Sequence, residues 1–255
     1  MSYRGGNIVS KYIQNFNKFR PLLKELIMRD IKTKYRKSIL GVFWTILNPL
    51  FMMVVLSIVF SNMFKFDVEY FPVYLLSGQL IFNFFNEATT NAMGAIVMNG
   101  PLIKKIYVPK YMFVLSRIFS SSINLLASFT AMIFVMLAMR VELHYTVLLA
   151  PIPLLFIVFF SLGVGLILSA ITVKFRDIMH LYSVFVTALM YLTPVIYPMS
   201  ILPEWLKKIV LLNPLTNILT MFRNVMINNM LPSISSILLA AVEVAVVMVL
   251  GLYVF

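Results

Sequence analysis

The sequence predicts an all-α integral membrane protein. It has six transmembrane helices, an N-terminal amphipathic interface helix, and two short re-entrant helices on the outer side between helices 5 and 6. Three observations predict this. Of 255 residues, 61% are hydrophobic and 12% charged, whereas a soluble domain is about half apolar and about a quarter charged. Six runs approach the ~20 apolar residues that cross ~30 Å of hydrocarbon. The basic residues are unevenly placed, with ten of the 21 Lys and Arg lying before Ile39.

Residues 1–38 form a cytoplasmic N-terminal region, and residues 39–255 a single transmembrane domain. Pro21 suits the first position of a helix. Leu22, Leu23, Leu26, Ile27 and Ile31 then recur at helical spacing. Lys24, Glu25, Arg29, Lys32 and Lys34 occupy the other positions. The pattern reads as a basic amphipathic helix lying in the membrane interface; a polybasic tail that only holds topology is the alternative. The first apolar run begins only at Ile39, so no cleavable signal peptide is expected.

The six spans follow in order. The first, 39–61, carries no charge. The second, 73–98, is punctuated by Asn83, Asn86, Glu87 and Asn91. The third covers 118–139, and the fourth covers 147–173 with Pro151 and Pro153 near its start. The fifth covers 181–199, and the sixth covers 233–255 with one interruption at Glu243. If the N-terminus is inside, segments 1–38, 99–117 and 174–180 carry ten, four and two basic residues. Only Lys65, Arg140, Lys207, Lys208 and Arg223 fall outside. That asymmetry places both termini in the cytoplasm. The net charge of +12 then reads as attraction to an anionic leaflet, not to nucleic acid. Between the fifth and sixth spans, Pro194, Pro198, Pro203, Pro214 and Pro232 divide the chain. Segments 206–212 and 215–226 are too short to span, and they read as re-entrant or surface-lying helices on the outer side.

Little here can carry chemistry. There is no cysteine, and the two histidines are His144 and His180. No glycine opens the P-loop pattern that cradles phosphates, and no HExxH or GxSxG motif occurs. Gly163 and Gly165, with Ser169 and Ala170, suit close approach of neighbouring helices. Asn83, Glu87 and Asn91 fall four residues apart on one helix face, flanked by Asn86 and Thr90. Such a stripe either lines a translocation path or fixes the bundle by interhelical hydrogen bonds. Glu243 stands alone and is assigned to the second role. Phe51, Phe60, Tyr182, Phe185 and Tyr191 are either packing residues or flat faces along a path for sugars. Asn99 to Lys110, NGPLIKKIYVPK, is an ordinary basic loop or a protruding element that receives force from a soluble partner. Arg176 and Asp177 either pair with each other or cap the fifth helix, with Asp177 at the N-cap.

Four segments in order resemble one family. KYRKSILGVFWTILNPL, Lys34 to Leu50, is similar to the opening of the permease subunits of ABC-2 type exporters. The likeness is to the branch exporting bacterial surface polysaccharides: O-antigen, capsule, teichoic acid and rhamnose-rich wall glycans. NGPLIKKIYVPK resembles that family's cytoplasmic gate region. VKFRDI, Val173 to Ile178, resembles its loop between the fourth and fifth helices. LTPVIYPMSILPEWLKKIVLLNPLT, Leu192 to Thr216, resembles its outer re-entrant region.

The resemblance implies a homodimer in the bacterial cytoplasmic membrane, with a channel between the two copies. Two copies of a separate P-loop ATPase would dock beneath it. ATP and Mg would belong to that partner, and this chain would hold no cofactor, metal or catalytic residue. The cargo would be a polyprenyl-diphosphate-linked glycan. Residues 21–38 with Arg29, then Lys104, Lys105 and Tyr107, then Arg176 and Asp177, would meet the ATPase; Lys104 and Lys105 are also expected to attract the diphosphate. One departure stands out: Asn83, Asn86 and Glu87 are polar where aromatic lining is expected. An ABC-2 permease for a drug or lipid is an alternative. A membrane-embedded glycan or lipid transferase and a passive channel are less well supported.

Overall fold

The computed structural model describes residues 8–36, 38–63, 68 and 70–255, and every regular element among them is helical. The long elements are α1 (Ile8–Lys34), α2 (Trp44–Met63) and α3 (Phe71–Met93). Two single turns follow, α4 (Ala95–Met98) and α5 (Gly100–Ile103), then α6 (Tyr111–Ala138), α7 (Pro151–Lys174) and α8 (Ile178–Tyr191). The chain closes with α9 (Glu204–Leu211), α10 (Pro214–Met226) and α11 (Ile234–Val254).

The segments Tyr111–Ala138, Tyr145–Lys174 and Ile234–Val254 are long and apolar enough to cross a membrane. α2 is apolar over Trp44–Phe60, and α8 is apolar but shorter. α3 has 23 residues, about 34 Å at helical rise, and it carries the polar stripe.

α3 forms the centre of the bundle. It packs on α6, α7 and α2, while α11 lies along α7, and α10 fits between α3, α7 and α11. Small residues permit the closest crossing, as in membrane bundles where apolar lipid gives helices no hydrophobic drive to associate. A Cβ added at Gly163 would lie 2.9 Å from the Val247 carbonyl carbon, and one at Gly251 would lie 2.7 Å from the Gly163 oxygen. Gly165 meets Ala92 of α3 in the same way, at 2.8 Å.

Several boundaries differ from the expectation. Pro21 does not open α1 but sits inside it. Its ring faces outward on an exposed position, where the carbonyl that loses its N–H partner can be satisfied from outside. The amphipathic reading of α1 holds: Leu23 and Leu26 are buried, Leu22 and Ile27 pack against the core, and Lys24, Glu25, Arg29, Lys32 and Lys34 are exposed. That apolar face rests against α6. The second run, 73–98, is broken at Gly94, which caps α3. The fifth, 181–199, ends at Tyr191, because Pro194 follows and a residue before proline disfavours the helical region. Between α1 and α2, Gly41 adopts φ +50°, a conformation that suits glycine, and its N–H donates to Ser38 Oγ at 3.0 Å.

Candidate functional site

α2, α3 and α6 line a half-open cavity of about 460 Å³ with both polar and apolar walls. Its polar wall includes Asn48, Gln79, Asn83, Asn86, Glu87 and Asn124, with Trp44 and Tyr35. The end of α1 closes one side. There Lys34 Nζ donates to Glu87 Oε1 at 2.8 Å, and Asn124 Nδ2 donates to the same oxygen at 2.7 Å. Tyr35 Oη donates to Asn124 Oδ1 at 3.2 Å. Burial pushes the Tyr35 phenol up, against the opposing pull of the Lys34 cation, so at neutral pH it stays a neutral donor.

The polar stripe is therefore divided into paired and unpaired members. Glu87 ties α3 to α1 and α6, and Asn91 Nδ2 donates to Ser121 Oγ of α6 at 3.4 Å. Asn86 accepts from Thr90 within α3 at 3.2 Å. Asn83, by contrast, is exposed to the cavity and has no hydrogen-bond partner among the described residues. Glu243 has a bundle role: Asn217 Nδ2 of α10 donates to its Oε2 at 3.5 Å.

The five aromatics fall on α2 and α8 and do not converge on this cavity. Tyr182 is buried and donates to Thr89 Oγ1. Phe185 lines a second, apolar cavity of about 350 Å³ with Phe85 and Phe160. Phe51 and Tyr191 lie on exposed helix faces, and Phe60 is half-buried near the end of α2.

The proposed coupling residues lie at one end of the bundle. In the connection from α3 to α6, α4 packs on both α6 and α7, and Ala92 near the end of α3 meets Gly165 of α7. Lys104, Lys105 and Tyr107 are exposed, Tyr107 almost fully at 91%. Arg29 is exposed and donates through Nη2 to Asp30 Oδ1 at 3.1 Å. Asp30 is in turn buried beside α6, where Arg117 Nη1 lies 3.2 Å from its Oδ2, an ion pair outside hydrogen-bond geometry. Arg176 and Asp177 are exposed and do not pair with each other. The Asp177 carboxylate makes no capping bond. Instead its backbone carbonyl accepts from the N–H groups of His180 and Leu181, because the residue already has helical φ and ψ, not the extended backbone of a capping residue.

At the far end lies a residue that charge counting places among the outer loops. Arg223 of α10 is 7% exposed. Its Nε donates to Ser77 Oγ at 3.0 Å, and Nη1 donates to the Pro194 carbonyl at 2.7 Å. Nη2 donates to the carbonyls of Tyr74 and Val195 at 3.1 and 3.0 Å. The guanidinium also lies 3.4 Å over the Tyr74 ring. Gly78 makes this possible, since a Cβ there would stand 2.6 Å from the Val195 oxygen.

Residues 21–227 match the ABC-2 type transporter family over most of the chain. The chain belongs to that family. RfbA of Myxococcus xanthus, an O-antigen export system permease protein, is 30% identical over 237 residues, covering 92% of this chain and 91% of the relative. The protein of the same name from Klebsiella pneumoniae is 26% identical over 214 residues, 82% of each chain. KpsM of Escherichia coli, a polysialic acid transport protein, is 24% identical over 208 residues, 79% of each.

In this ABC-2 chain the sequence holds a signal for Arg223 that loop counting overlooks. It is the one basic residue of a 13-residue helix that is otherwise apolar or neutral. An isolated cation in such a helix requires partners. Nothing in the sequence points to Asn48 or Gln79, because their importance comes from a cavity formed by helices distant in sequence.

Proposed function

We propose that this chain is the transmembrane permease subunit of an ATP-driven exporter. Its cargo is a polyprenyl-diphosphate-linked cell-surface polysaccharide, carried across the bacterial cytoplasmic membrane. The observation that carries this reading is the likeness to O-antigen export permeases along 92% of the chain. α2, α3, α6, α7, α8 and α11 make six spans with both termini in the cytoplasm, and α9 and α10 dip in from the outer side.

The chain functions as a homodimer with two copies of a P-loop ATPase. ATP and Mg reside in that partner, in keeping with the lack of a P-loop pattern in this sequence. Residues 21–38 with Arg29, then Lys104, Lys105, Tyr107, Arg176 and Asp177, form the docking face, which the exposure of these six named side chains supports. Closure of the ATPase pair pushes on α1. The Lys34–Glu87 and Asp30–Arg117 pairs carry that push into α3 and α6. The polar stripe from Asn83 to Asn91, together with the α2 and α8 aromatics, borders the path of the glycan.

Native mass spectrometry of the tagged chain, purified gently from its own host membrane, tests this directly. The expected species holds two copies of the chain, two copies of a P-loop ATPase and a lipid-linked sugar. An intact preparation of the chain alone, or with partners that are not ATPases, overturns the exporter. A bound drug or simple lipid in place of the glycan favours the other ABC-2 permease reading.

A further inference from the structure

Three carboxamides of the cavity between α2, α3 and α6 have no partner among the described residues. Asn48 of α2 and Asn83 of α3 are exposed, and neither makes a hydrogen bond there. Gln79 lies one turn before Asn83 on the same face. It is 3% exposed, and both its Oε1 and its Nε2 are buried without a partner. Polar groups left buried and unpaired are uncommon and require an explanation.

The chemistry of the wall narrows what fills it. A carboxamide both donates and accepts, which matches a hydroxyl; a fully ionised phosphate only accepts. The charged groups lining the cavity are Lys34 and Glu87, and they neutralise each other at 2.8 Å. An anionic ligand therefore meets no free cation among the described residues of the wall. Trp44 adds a flat apolar face with a polar N–H edge, suited to the C–H face of a sugar ring. The volume of about 460 Å³ falls in the range of small-molecule sites, roughly 300–1,000 Å³.

We propose that this cavity binds neutral pyranose units, with Asn48 and Asn83 gripping hydroxyls and Trp44 stacking on the ring, and with the buried Gln79 amide turning outward to join them when the site is filled. The site selects sugar and not diphosphate. The identity of the ligand as the exported glycan rests on the exporter reading above.

The chain has two tryptophans, Trp44 and Trp205, so a Trp205→Phe background leaves Trp44 as its single tryptophan, and the same complex carrying Trp44→Phe as well supplies the emission of the ATPase and scaffold to be subtracted. The permease would be purified with its ATPase in lipid nanodiscs and titrated with two probes. One is a set of short oligosaccharides from acid hydrolysis of the host's own surface polysaccharide; the other is inorganic pyrophosphate. The expected result is a saturable change in Trp44 emission with oligosaccharide and none with pyrophosphate. Asn48→Leu and Asn83→Leu should each weaken sugar affinity about tenfold with an unchanged thermal midpoint, and the double variant should weaken it further. A Trp44 response to pyrophosphate overturns the proposal. So does no response to sugar, or sugar affinity indifferent to both substitutions. Surface glycan on living cells, read with and without the chain, separates the two failures. Export that depends on the chain, with Trp44 silent, removes the pocket and leaves the exporter. Export that does not depend on the chain removes the exporter reading itself.

Discussion

Two neighbouring stretches of α3 treat polar groups in opposite ways. Toward its N-terminus, Arg223 donates to four acceptors from Ser77, Tyr74, Pro194 and Val195. Further along the same helix, Gln79 and Asn83 have no partner among the described residues. A buried cation with four of its five N–H donors engaged is a structural clasp, since each engaged donor replaces water it has lost. Amides that border a cavity without partners have a bonding capacity that only water or a ligand can fill. Polarity within an apolar bundle is therefore not one signal: the presence or absence of a protein partner divides structure from recognition.

Replacing Arg223 should produce the largest effect. Arg223→Met removes hydrogen bonds from a charged donor and leaves the buried carbonyls of Pro194 and Val195 short of a partner. A loss of about 3 kcal/mol or more is expected, seen as a drop in the thermal midpoint of the purified permease. Arg223→Lys should recover little of it, because a single ammonium cannot reproduce the planar fork. If Arg223→Met melts like the wild type, the clasp is not one, and the contrast between the two stretches collapses.

Next comes the α7–α11 crossing. Gly163→Ala places a Cβ 2.9 Å from the Val247 backbone. A backbone neighbour cannot swing aside as a flexible side chain does, so the helices must part, at about 1–3 kcal/mol. The same substitution at Gly100, where an added Cβ meets nothing within 4 Å, provides the matched control.

Much of this molecule is legible in its amino-acid sequence. The apolar runs predict helices at nearly every place one occurs, and Pro194, Pro203 and Pro214 mark the breaks around α9 and α10. Gly163 and Gly165 announce close packing by composition alone. The errors have local causes. Pro21 looks like a helix start because its sequence context cannot reveal that the helix faces outward there. The fifth run continues in hydropathy past Tyr191 although the backbone turns away. The site is less legible than the fold. Asn83 and Glu87 share a stripe at helical spacing, yet one is open and the other is held by Lys34, 53 residues away. No periodicity encodes that difference, which depends on where α1 ends.

The Lys34–Glu87 pair sits between the two extremes and should behave so. Its side chains are 46% and 32% exposed, so screening limits its contribution to stability. A double-mutant cycle with Lys34→Ala and Glu87→Ala should return a coupling of about 0.5–1 kcal/mol, falling as salt rises. If the pair transmits motion from α1, ATP-driven export should fall by more than this small coupling implies. Export that tracks stability alone reduces the pair to a bundle tie.

The smallest stability effect belongs to the unpartnered amides, and its sign carries the information. Asn83→Leu breaks no hydrogen bond among the described residues, so its stability should stay within about 0.5 kcal/mol of wild type. Gln79→Leu should go further and raise the midpoint. It replaces a buried amide lacking any partner with an apolar group of similar size, a change that is neutral or stabilising when no bond is lost. A protein that keeps Gln79 despite this is retaining a polar group at a cost to its own stability, which is the mark of a group kept for binding. Should Gln79→Leu destabilise the fold by about 1 kcal/mol or more, the amide has a structural partner after all. It would then belong with Arg223 among the clasps, and the cavity would lose its deepest contact.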